Sequence, residues 1–496
     1  MKFYLTTPIY YVNGDPHIGH TYTTVMADCI ARFHRMEGDD VYFMTGTDEH
    51  GQKIYETAQK QGIQPRQYAD TIAAAFQGVW KTLGITYDRF IRTTEPNHEE
   101  VVKTVFKRLM EQGDIYAGEY KGFYCVHCEL YVEPSAEGVP CCPDCNRPVG
   151  QITEHSYFFK LSAYEQRIRD HIAAHPDFIK PDFRKNEVLK FLERGLHDIS
   201  FTRKNVPWGV PSPTPENYSI YVWCDALLNY ISGIGYLRDE AVFKKWWPAD
   251  VHLMSKDIIR FHCVIWPALL MALELPLPGS VFVHGYWVMG KDKMSKSKGN
   301  VISPLTLIED YGVDALRFFL AREVPFGMDG EYSPEVFKKR YNSDLANDLG
   351  NLVNRTLHLC GQKCGNITPE GVPSEALTAM TDGIMETYRK EMAALNVSAA
   401  TGSVWGLVTH GNKYLDTAAP WRLEGAEAGR VLYEVLEVIR RAALLLAPFI
   451  PTTSAKIWKM LGRTDDPSAG GFALLSSFLK PGTPLGEKEI LFPRRK

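Results

Sequence analysis

The stretch that decides the fold is residues 2–44, which read KFYLTTPIYYVNGDPHIGHTYTTVMADCIARFHRMEGDDVYFM. Residues 2–6 look like a strand, residues 19–36 carry apolar side chains at helical spacing, and residues 41–44 look like a second strand. Gly38 stands where a helix commonly ends in a left-handed turn. This order of elements predicts a βαβ unit and therefore a parallel sheet.

A second α/β stretch follows about 220 residues into the chain. It contains the strand-like segments 251–254 and 281–289, and a helix is predicted between them, from residue 258 to 273. From about residue 341 onward strand patterns vanish, and residues 431–446 place their apolar side chains on one helical face. The sequence therefore predicts an α/β, Rossmann-like parallel-sheet domain that is split by an insertion and followed by an all-helical domain.

Composition narrows the class of protein. The chain has 496 residues, of which 45% are hydrophobic and 23% charged, the balance of a folded globular protein. A net charge of -4 argues against a protein that coats nucleic acid indiscriminately. The first residues show no export or transit pattern, and the apolar run 442–450 is too short to span a bilayer. We therefore expect a cytoplasmic protein without a membrane partner.

Two short motifs predict a phosphate site. Residues 17–20 read HIGH at the junction of the first strand and helix, so backbone amides and imidazoles can converge on an anion there. Residues 293–297 read KMSKS directly after a predicted strand, and their ammonium groups can reach phosphates. Either motif alone is more often a structural turn or a solvated loop. Their occurrence together, on these elements and in this order, favours the functional interpretation.

With both motifs intact, the sequence resembles the class I aminoacyl-tRNA synthetases. The resemblance implies in-line attack of an amino-acid carboxylate on the α-phosphate of ATP, with Mg²⁺ accompanying the nucleotide. It also implies catalytic roles for His17, His20, Lys293 and Lys296, which stabilise charge on the phosphates. The same four residues, with Gly19 and Asp257, are expected to bind ATP.

Residues 9–11 read IYY, residues 47–51 read TDEHG, residues 221–226 read YVWCDA and residues 256–262 read KDIIRFH. These segments resemble the methionyl branch of that family, and the resemblance spans almost the whole chain. The resemblance implies a methionine site formed by Ile9, Tyr11, Asp48, Trp223, Ala226, Leu227, Tyr230 and His262. Leu227 stands where some members carry Pro, and Ile265 replaces an aromatic residue. Taken without the family, Asp48 reads equally well as a helix cap, and the aromatic residues read as core.

Five of the ten cysteines lie close together between the two α/β halves. Cys125-x-x-Cys128 and Cys142-x-x-Cys145 match the spacing of a tetrahedral zinc site with four thiolates. Four thiolates leave no open position for water, so we expect one structural zinc ion rather than a catalytic one. Cys141 is the alternative to Cys142, which better preserves the paired spacing.

In the helical region the resemblance implies that Asn351, Arg355, Pro420 and Trp421 read the anticodon of the methionine tRNA. Trp421 taken alone reads more readily as helix-packing core. The helical region ends near Lys480, and we expect a monomer. The expected partners are L-methionine, ATP and methionine tRNA.

These assignments give expected domain boundaries. The ranges are 1–115 for the first catalytic half, 116–218 for the insertion with its zinc knuckle, 219–290 for the second catalytic half, 291–345 for the KMSKS loop and stem-contact region, 346–480 for the anticodon-binding domain and 481–496 for a C-terminal tail. The insertion is too small for the hydrolytic editing domain of the leucyl, isoleucyl and valyl relatives.

Two rival functions stay open at this point. A cysteinyl-type synthetase would bind its substrate thiol with a zinc ion inside the crevice. An RNA-binding or regulatory protein could keep the synthetase fold without catalysis, although the intact HIGH and KMSKS motifs oppose this.

Overall fold

The computed structural model describes residues 1–125, 130–132, 141–142, 146–289, 292–293 and 302–496. The strands are β1 (Lys2–Tyr11), β2 (Asp40–Asp48), β3 (Arg89–Arg92), β4 (Ile115–Cys125), β5 (Leu130–Val132), β6 (Gly150–Phe159), β7 (Ile179–Lys180), β8 (Ile199–Ser200), β9 (Thr202–Arg203), β10 (Ser219–Ile220), β11 (Val251–Ser255), β12 (Ser280–His284), β13 (Trp287–Met289), β14 (Asp292–Lys293) and β15 (Gly330–Glu331). The α-helices are α1 (Ile18–Met36), α2 (Gln52–Lys60), α3 (Pro65–Thr82), α4 (Pro96–Glu111), α5 (Glu165–Ala174), α6 (Asp182–Leu192), α7 (Val222–Leu227), α8 (Asn229–Ser232), α9 (Glu240–Trp246), α10 (Trp266–Ala272), α11 (Pro304–Tyr311), α12 (Val313–Arg322), α13 (Pro334–Arg340), α14 (Asn351–Cys364), α15 (Glu375–Ala393), α16 (Val397–Ala418), α17 (Gly425–Leu446), α18 (Pro451–Met460) and α19 (Pro467–Gly470).

The main sheet has six strands in the order β3-β2-β1-β11-β12-β7, and all neighbouring pairs are parallel. The chain moves outward in one direction from β1 to β2 and β3, and in the other direction from β11 to β12. Ligands of such sheets bind at the carboxyl ends of the strands, where the order reverses. This confirms the Rossmann-like fold and predicts a crevice at the end of β1.

Strand β1 extends beyond the predicted residues 2–6 and ends at Tyr11, with a bulge between its two halves. The pairing of β1 with β2 shifts register between Thr6 and Ile9, around Pro8. Since proline cannot donate a ladder hydrogen bond, the strand accommodates it only at such an irregularity. The strand then continues to Tyr11 and carries residues 9–11 to the crevice.

The predicted strand 281–289 is wrong in one respect, since it is two strands in different sheets. β12 ends at His284 in the main sheet, and β13 belongs to a small sheet with β14 and β15. The chain turns at Gly285, where an added Cβ would lie 2.5 Å from the Asp329 backbone nitrogen. Close approach of the neighbouring loop therefore ends the strand, which no periodicity in the sequence indicates.

The predicted helix 258–273 is helical from residue 256 to residue 272, but the type of helix changes along its length. It consists of a 3₁₀ turn at Lys256–Ile258, a π-helical turn at Phe261–Ile265 and then α10. Pro267 lies at the start of α10 and has no backbone N–H to donate to the preceding turn. The helix widens into a π turn there, and such π turns, although rare, are frequently found at functional sites.

The insertion is built on a four-stranded sheet, in the order β5-β4-β6-β8. The range 116–218 also contains β7, which pairs with β12 and forms an edge of the main sheet. The insertion is therefore joined to the catalytic sheet by backbone hydrogen bonds as well as by its two connections. Of the four predicted zinc ligands, Cys128 and Cys145 lie outside the described residues.

Helices α14 to α18 form the helical domain. Helix α17 buries the side chains that the helical spacing predicts, namely Leu432, Val435, Leu436, Ile439, Ala443 and Leu446. The segment 481–496 does not extend as a free tail. Its Phe492 is buried, and Pro493 accepts a 3.0 Å hydrogen bond from the Tyr341 hydroxyl group.

Arg317 of α12 links the sheet domain to the helical domain. Its guanidinium group is fully buried and lies 2.7 Å from the Asp28 carboxylate of α1. It also donates hydrogen bonds to the carbonyl oxygens of Pro448 and Phe449, both at 3.0 Å. A buried charge must be paired in this way to be tolerated, so this junction has one defined geometry. Within the described ranges, no helix has the length and apolar character needed to cross a bilayer.

Candidate active site

A cavity of about 410 Å³ opens at the carboxyl ends of the central strands. It is bounded by β1, the start of α1, the end of β2, helices α7 and α8, and the ends of β11 and β12. The predicted residues that line it are Ile9, Tyr11, His17, Gly19, His20, Asp48, Trp223, Ala226, Leu227, Tyr230, Asp257 and His262. Of the other predicted ATP ligands, Lys293 belongs to β14, and Lys296 lies outside the described residues.

His17 and His20 begin α1 and cap each other. The Nδ1 atom of His17 accepts a hydrogen bond from the backbone N–H of Gly19 at 3.1 Å, and Nδ1 of His20 accepts from the backbone of His17 at 3.4 Å. Their rings stack with centroids 3.7 Å apart. Because Nδ1 accepts in both rings, a neutral imidazole must carry its proton on Nε2. Both residues therefore offer an N–H donor beside the positive end of a helix dipole.

Gly19 is required between the two histidines. A Cβ atom at this position would lie 2.9 Å from Cε1 of His17, closer than carbon atoms normally approach. Any larger residue would displace the His17 ring from its capping position. The glycine of the HIGH motif is thus explained by the space that the His17 imidazole occupies.

The other side of the cavity is aromatic. The Tyr230 hydroxyl group and Nε2 of His262 are 2.7 Å apart, and Nδ1 of His262 lies 3.0 Å from the Ile258 carbonyl oxygen. Since a carbonyl can only accept, Nδ1 carries the proton and Nε2 accepts from the tyrosine. Trp223 stacks on Phe261 with ring centroids 3.7 Å apart. Trp223 and Tyr230 thus line the cavity, whereas the core interpretation holds for their neighbour Tyr221.

Asp48 ends β2 and lines the cavity. The alternative interpretation of Asp48 as a helix cap is wrong, because the N-cap of α2 is Gly51 and makes no side-chain capping bond. The residue after it, Glu49, is fully buried and accepts hydrogen bonds from Arg92 at 2.6 and 2.9 Å. The hydrogen bonds of Glu49 therefore fix the backbone at the carboxyl end of β2, where Asp48 lies.

Sequence reasoning missed several lining residues. His284 ends β12, and its Nε2 atom lies 2.7 Å from the Thr23 hydroxyl oxygen of α1. The rule that ligands gather at the carboxyl ends of parallel strands would have identified His284. The further lining residues not predicted are Pro8, Tyr10, Asn13, Tyr22, Thr23, Lys53, Val222, Asn229, Ser255, Ile258, Gly285, Tyr286 and Trp287. Ile265, expected at the pocket edge, is buried and is not among the lining residues.

Burial keeps two of the histidines that line the cavity, His262 and His284, neutral. Loss of solvent lowers the pKa of His262 to about 4, although its bond to the Ile258 carbonyl opposes the shift. Burial likewise lowers the pKa of His284 to about 4. At neutral pH this part of the cavity therefore presents uncharged imidazoles, which suits an apolar ligand.

We expect the free energy of unfolding to fall as the pH is lowered from about 6.5 to about 4, because an unfolded histidine has a pKa of about 6.5. Between these values the unfolded chain binds more protons than the folded one, so each such histidine removes about 1.4 kcal/mol per pH unit. Urea unfolding at several pH values measures the slope. A His284→Gln variant should reduce it, and the exposed His175→Gln should not. Equal slopes in both variants would show that burial of His284 does not contribute to the pH dependence of the free energy of unfolding.

The predicted anticodon residues lie in the helical domain. Asn351 and Arg355 are one turn apart on α14, and the guanidinium carbon of Arg355 lies 5.8 Å from the ring centroid of Trp421. Trp421 is 41% exposed, so its interpretation as packing core is wrong. Arg355 also forms a 2.7 Å ion pair with Asp416, a partner that the sequence does not indicate.

Two family descriptions match most of the chain. The family of "tRNA synthetases class I (M)" matches residues 3–152 and 146–357. The "anticodon binding domain of methionyl tRNA ligase" matches residues 366–495. Together they include the sheet domain, the insertion and the helical domain.

Similar proteins extend over the full chain. The methionine–tRNA ligase of Caldanaerobacter subterraneus subsp. tengcongensis is 47% identical, over 99% of this chain and 78% of that protein. The methionine–tRNA ligase of Thermotoga maritima is 44% identical, over 100% of this chain and 80% of that protein.

Solved structures agree with these relatives. Mycobacterium tuberculosis methionyl-tRNA synthetase in complex with methionyl-adenylate superposes with a TM-score of 0.94 at 40% identity, over 99% of this chain and 100% of that chain. The apo form of the same enzyme superposes with a TM-score of 0.87 at 38% identity, over 100% of this chain and 98% of that chain.

Proposed function

The chain belongs to the methionyl-tRNA synthetase family of class I, and we propose that its cavity at the end of β1 is where methionine and ATP react. The enzyme activates methionine to methionyl-adenylate, releases pyrophosphate, and transfers methionine to tRNA. One observation carries the assignment to this cavity. The donors at the start of α1 and the aromatic pocket around Tyr230 and His262 line the same space.

The start of α1 is the phosphate side of the site. The Nε2–H groups of His17 and His20 donate to the ATP phosphates as charge develops during attack on the α-phosphate. Preorganised donors are effective here because they need no reorganisation at the moment of reaction. Lys293 and Lys296 hold the β- and γ-phosphates, and Mg²⁺ accompanies ATP. The Asp257 carboxylate, in the 3₁₀ turn that follows β11, accepts from the ribose hydroxyl groups.

The opposite side recognises methionine. The Asp48 carboxylate pairs with the α-ammonium group, because a single crevice carboxylate suits one cation. The thioether side chain lies among the apolar and aromatic residues, which hold a polarisable sulfur well. They are Ile9, Tyr11, Trp223, Ala226, Leu227, Tyr230 and His262. The neutral His262 adds no charge to this pocket, so a charged side chain of similar length is disfavoured.

The insertion holds a structural zinc ion. Cys125 and Cys142, one from each C-x-x-C pair, are 2% and 1% exposed and lie in one small cluster with Val132 and Val149. Cys128 and Cys145 of the same two C-x-x-C pairs would supply the other two thiolates. A zinc ion held by these four thiolates would cross-link the two C-x-x-C segments and would have no open coordination position for the reaction.

Zinc content tests which cysteines are ligands. We expect one zinc ion per chain in the wild type and in Cys141→Ser, because Cys141 is exposed while Cys142 is buried beside Cys125. Cys142→Ser should lose the metal. Elemental analysis of the purified variants decides this, and loss of zinc in Cys141→Ser alone would exchange the two assignments.

The helical domain binds the anticodon of the methionine tRNA through Asn351, Arg355, Pro420 and Trp421. The exposed indole offers a stacking surface, and the amide and guanidinium groups offer hydrogen bonds to base edges. We propose that the enzyme acts as a monomer, because the anticodon residues and the reaction cavity belong to the same chain.

Exchange of labelled pyrophosphate into ATP is the direct test of the site. Wild-type enzyme should catalyse exchange that depends on methionine, and Asp48→Asn should raise the KM for methionine with little change in the KM for ATP. Exchange supported by cysteine instead would favour the cysteinyl-type rival. Tight tRNA binding without any exchange would favour the RNA-binding rival. An Asp48→Asn variant with wild-type kinetics would reject the placement of the ammonium group.

A further inference from the structure

A buried cluster of ionisable groups lies behind the methionine pocket. The carboxylate of Asp225, in α7, is 1% exposed and has two histidine partners, His50 and His98. One carboxylate oxygen lies 2.7 Å from Nδ1 of His50, and the other lies 2.7 Å from Nε2 of His98. The side chains of His50 and His98 are 4% and 0% exposed. None of the three lines the cavity.

The hydrogen-bond pattern leaves little freedom in this cluster. Nδ1 of His98 lies 2.7 Å from the Ser232 hydroxyl oxygen, and Nε2 of His50 lies 3.9 Å from the Glu99 carboxylate. Burial opposes ionisation of Asp225, but the two imidazoles outweigh it and lower its pKa to about 2. Burial likewise opposes protonation of His50, but the Asp225 charge outweighs it and raises the pKa of His50. The carboxylate is therefore an ionised acceptor for both rings.

The cluster joins the two walls between which methionine would lie. His50 follows Asp48 by two residues, on the loop that leaves β2. Asp225 stands between Trp223 and Ala226, both of which line the pocket. The wall for the ammonium group and the wall for the side chain come from segments 175 residues apart in sequence. The His50–Asp225 bond is a direct contact between them.

We propose that Asp225 is a positioning residue for methionine, because its carboxylate fixes the separation between the wall that carries Asp48 and the wall that carries Trp223 and Ala226. This inference rests on the proposed methionine site. A ligand that uses both walls at once needs their separation to be correct. A ligand that uses only the apolar wall does not.

The test compares methionine with a ligand that lacks the ammonium group. In Asp225→Asn, the side-chain amide has an oxygen that accepts and an NH2 group that only donates. The NH2 group faces one of the two imidazole N–H groups, so one of the two hydrogen bonds from the histidines is lost. We expect the KM for methionine in pyrophosphate exchange to rise at least about tenfold, the effect of losing one hydrogen bond to a charged group. The KM for ATP and the inhibition constant of 4-(methylthio)butanoate should change less than about twofold.

The matched control is Asp314→Asn. Asp314 is also a buried carboxylate on a helix, and it accepts from the backbone N–H of Thr453 at the start of α18, away from the cavity. This variant should lower the melting temperature without changing the KM for methionine. If Asp225→Asn fails to fold, His50→Asn removes one partner and leaves the bond to His98, and a smaller rise in the same KM is expected.

The possible results separate this inference from the proposed function. Wild-type exchange that does not depend on methionine would overturn the proposed function itself. If wild-type exchange depends on methionine but the KM for methionine is unchanged in Asp225→Asn and in His50→Asn, only the role of Asp225 is overturned. A parallel loss of methionine and 4-(methylthio)butanoate binding would mean that Asp225 is merely structural, and would also overturn it.

Discussion

Replacement of His20 by alanine is expected to lower the rate of methionyl-adenylate formation about 100- to 1,000-fold, the usual effect of removing one preorganised donor at a developing charge. The Nδ1 atom of His20 already accepts from the His17 backbone, so its N–H donor is Nε2. The methionine pocket lies on the other side of the cavity. Methionine affinity should therefore stay close to the wild-type value.

Single-turnover formation of adenylate and equilibrium binding of methionine measure the two quantities separately. His34→Ala is the matched control, because His34 lies on the same helix but stacks on Phe3 and bonds Asp39 instead of lining the cavity. His20→Gln should recover part of the rate, since its amide can donate near the position of Nε2. A loss below tenfold, or an equal loss of methionine affinity, would contradict a role at the phosphates.

Replacement of Trp421 by alanine should weaken recognition of tRNA by about 1 to 3 kcal/mol, the range for stacking of a base on an aromatic side chain. This corresponds to a roughly 5- to 150-fold loss in kcat/KM for tRNA. Methionine activation without tRNA should hardly change, because the site for adenylate formation is in the sheet domain. The 41% exposure of the indole leaves its surface accessible to a base.

Thermal unfolding distinguishes a contact residue from a core residue here. Trp458 is the comparison, since it is 1% exposed in the same domain and donates its indole N–H to Asp465 at 3.0 Å. Trp458→Ala should destabilise the domain by about 3 to 5 kcal/mol, whereas Trp421→Ala should leave the melting temperature nearly unchanged. Normal charging by Trp421→Ala, or a charging defect accompanied by unfolding, would reject the anticodon role.

Much of the site could be predicted because its chemistry is local. His17 and His20 are three residues apart, and this spacing alone brings them together once a helix begins at Ile18. Asn351 and Arg355 share a helical face for the same reason. The paired C-x-x-C spacing predicts a metal site in the same way.

One error arises where a distant segment overrides a local pattern, and the other arises where a local turn exposes a side chain of the type that usually lies in a core. The strand that was predicted to run through residue 289 ends at His284, because the Asp329 loop lies against Gly285. Trp421 has the residue type of a core side chain, but the short turn after α16 leaves it at the surface. The end of the strand thus depends on a loop that is distant in sequence, whereas the exposure of Trp421 depends on the turn that carries it.

The sequence by itself determined the parallel sheet, the helical domain, and the local motifs at the starts and ends of elements, because these depend on spacing of a few residues. Only the tertiary structure decided which imidazole nitrogen carries a proton and which carboxylate is buried. Asp225 meets His50 and His98 across 175 and 127 residues of sequence. Partners that far apart are chosen by how the elements pack, and a carboxylate can be buried as an ion only where packing supplies the donors.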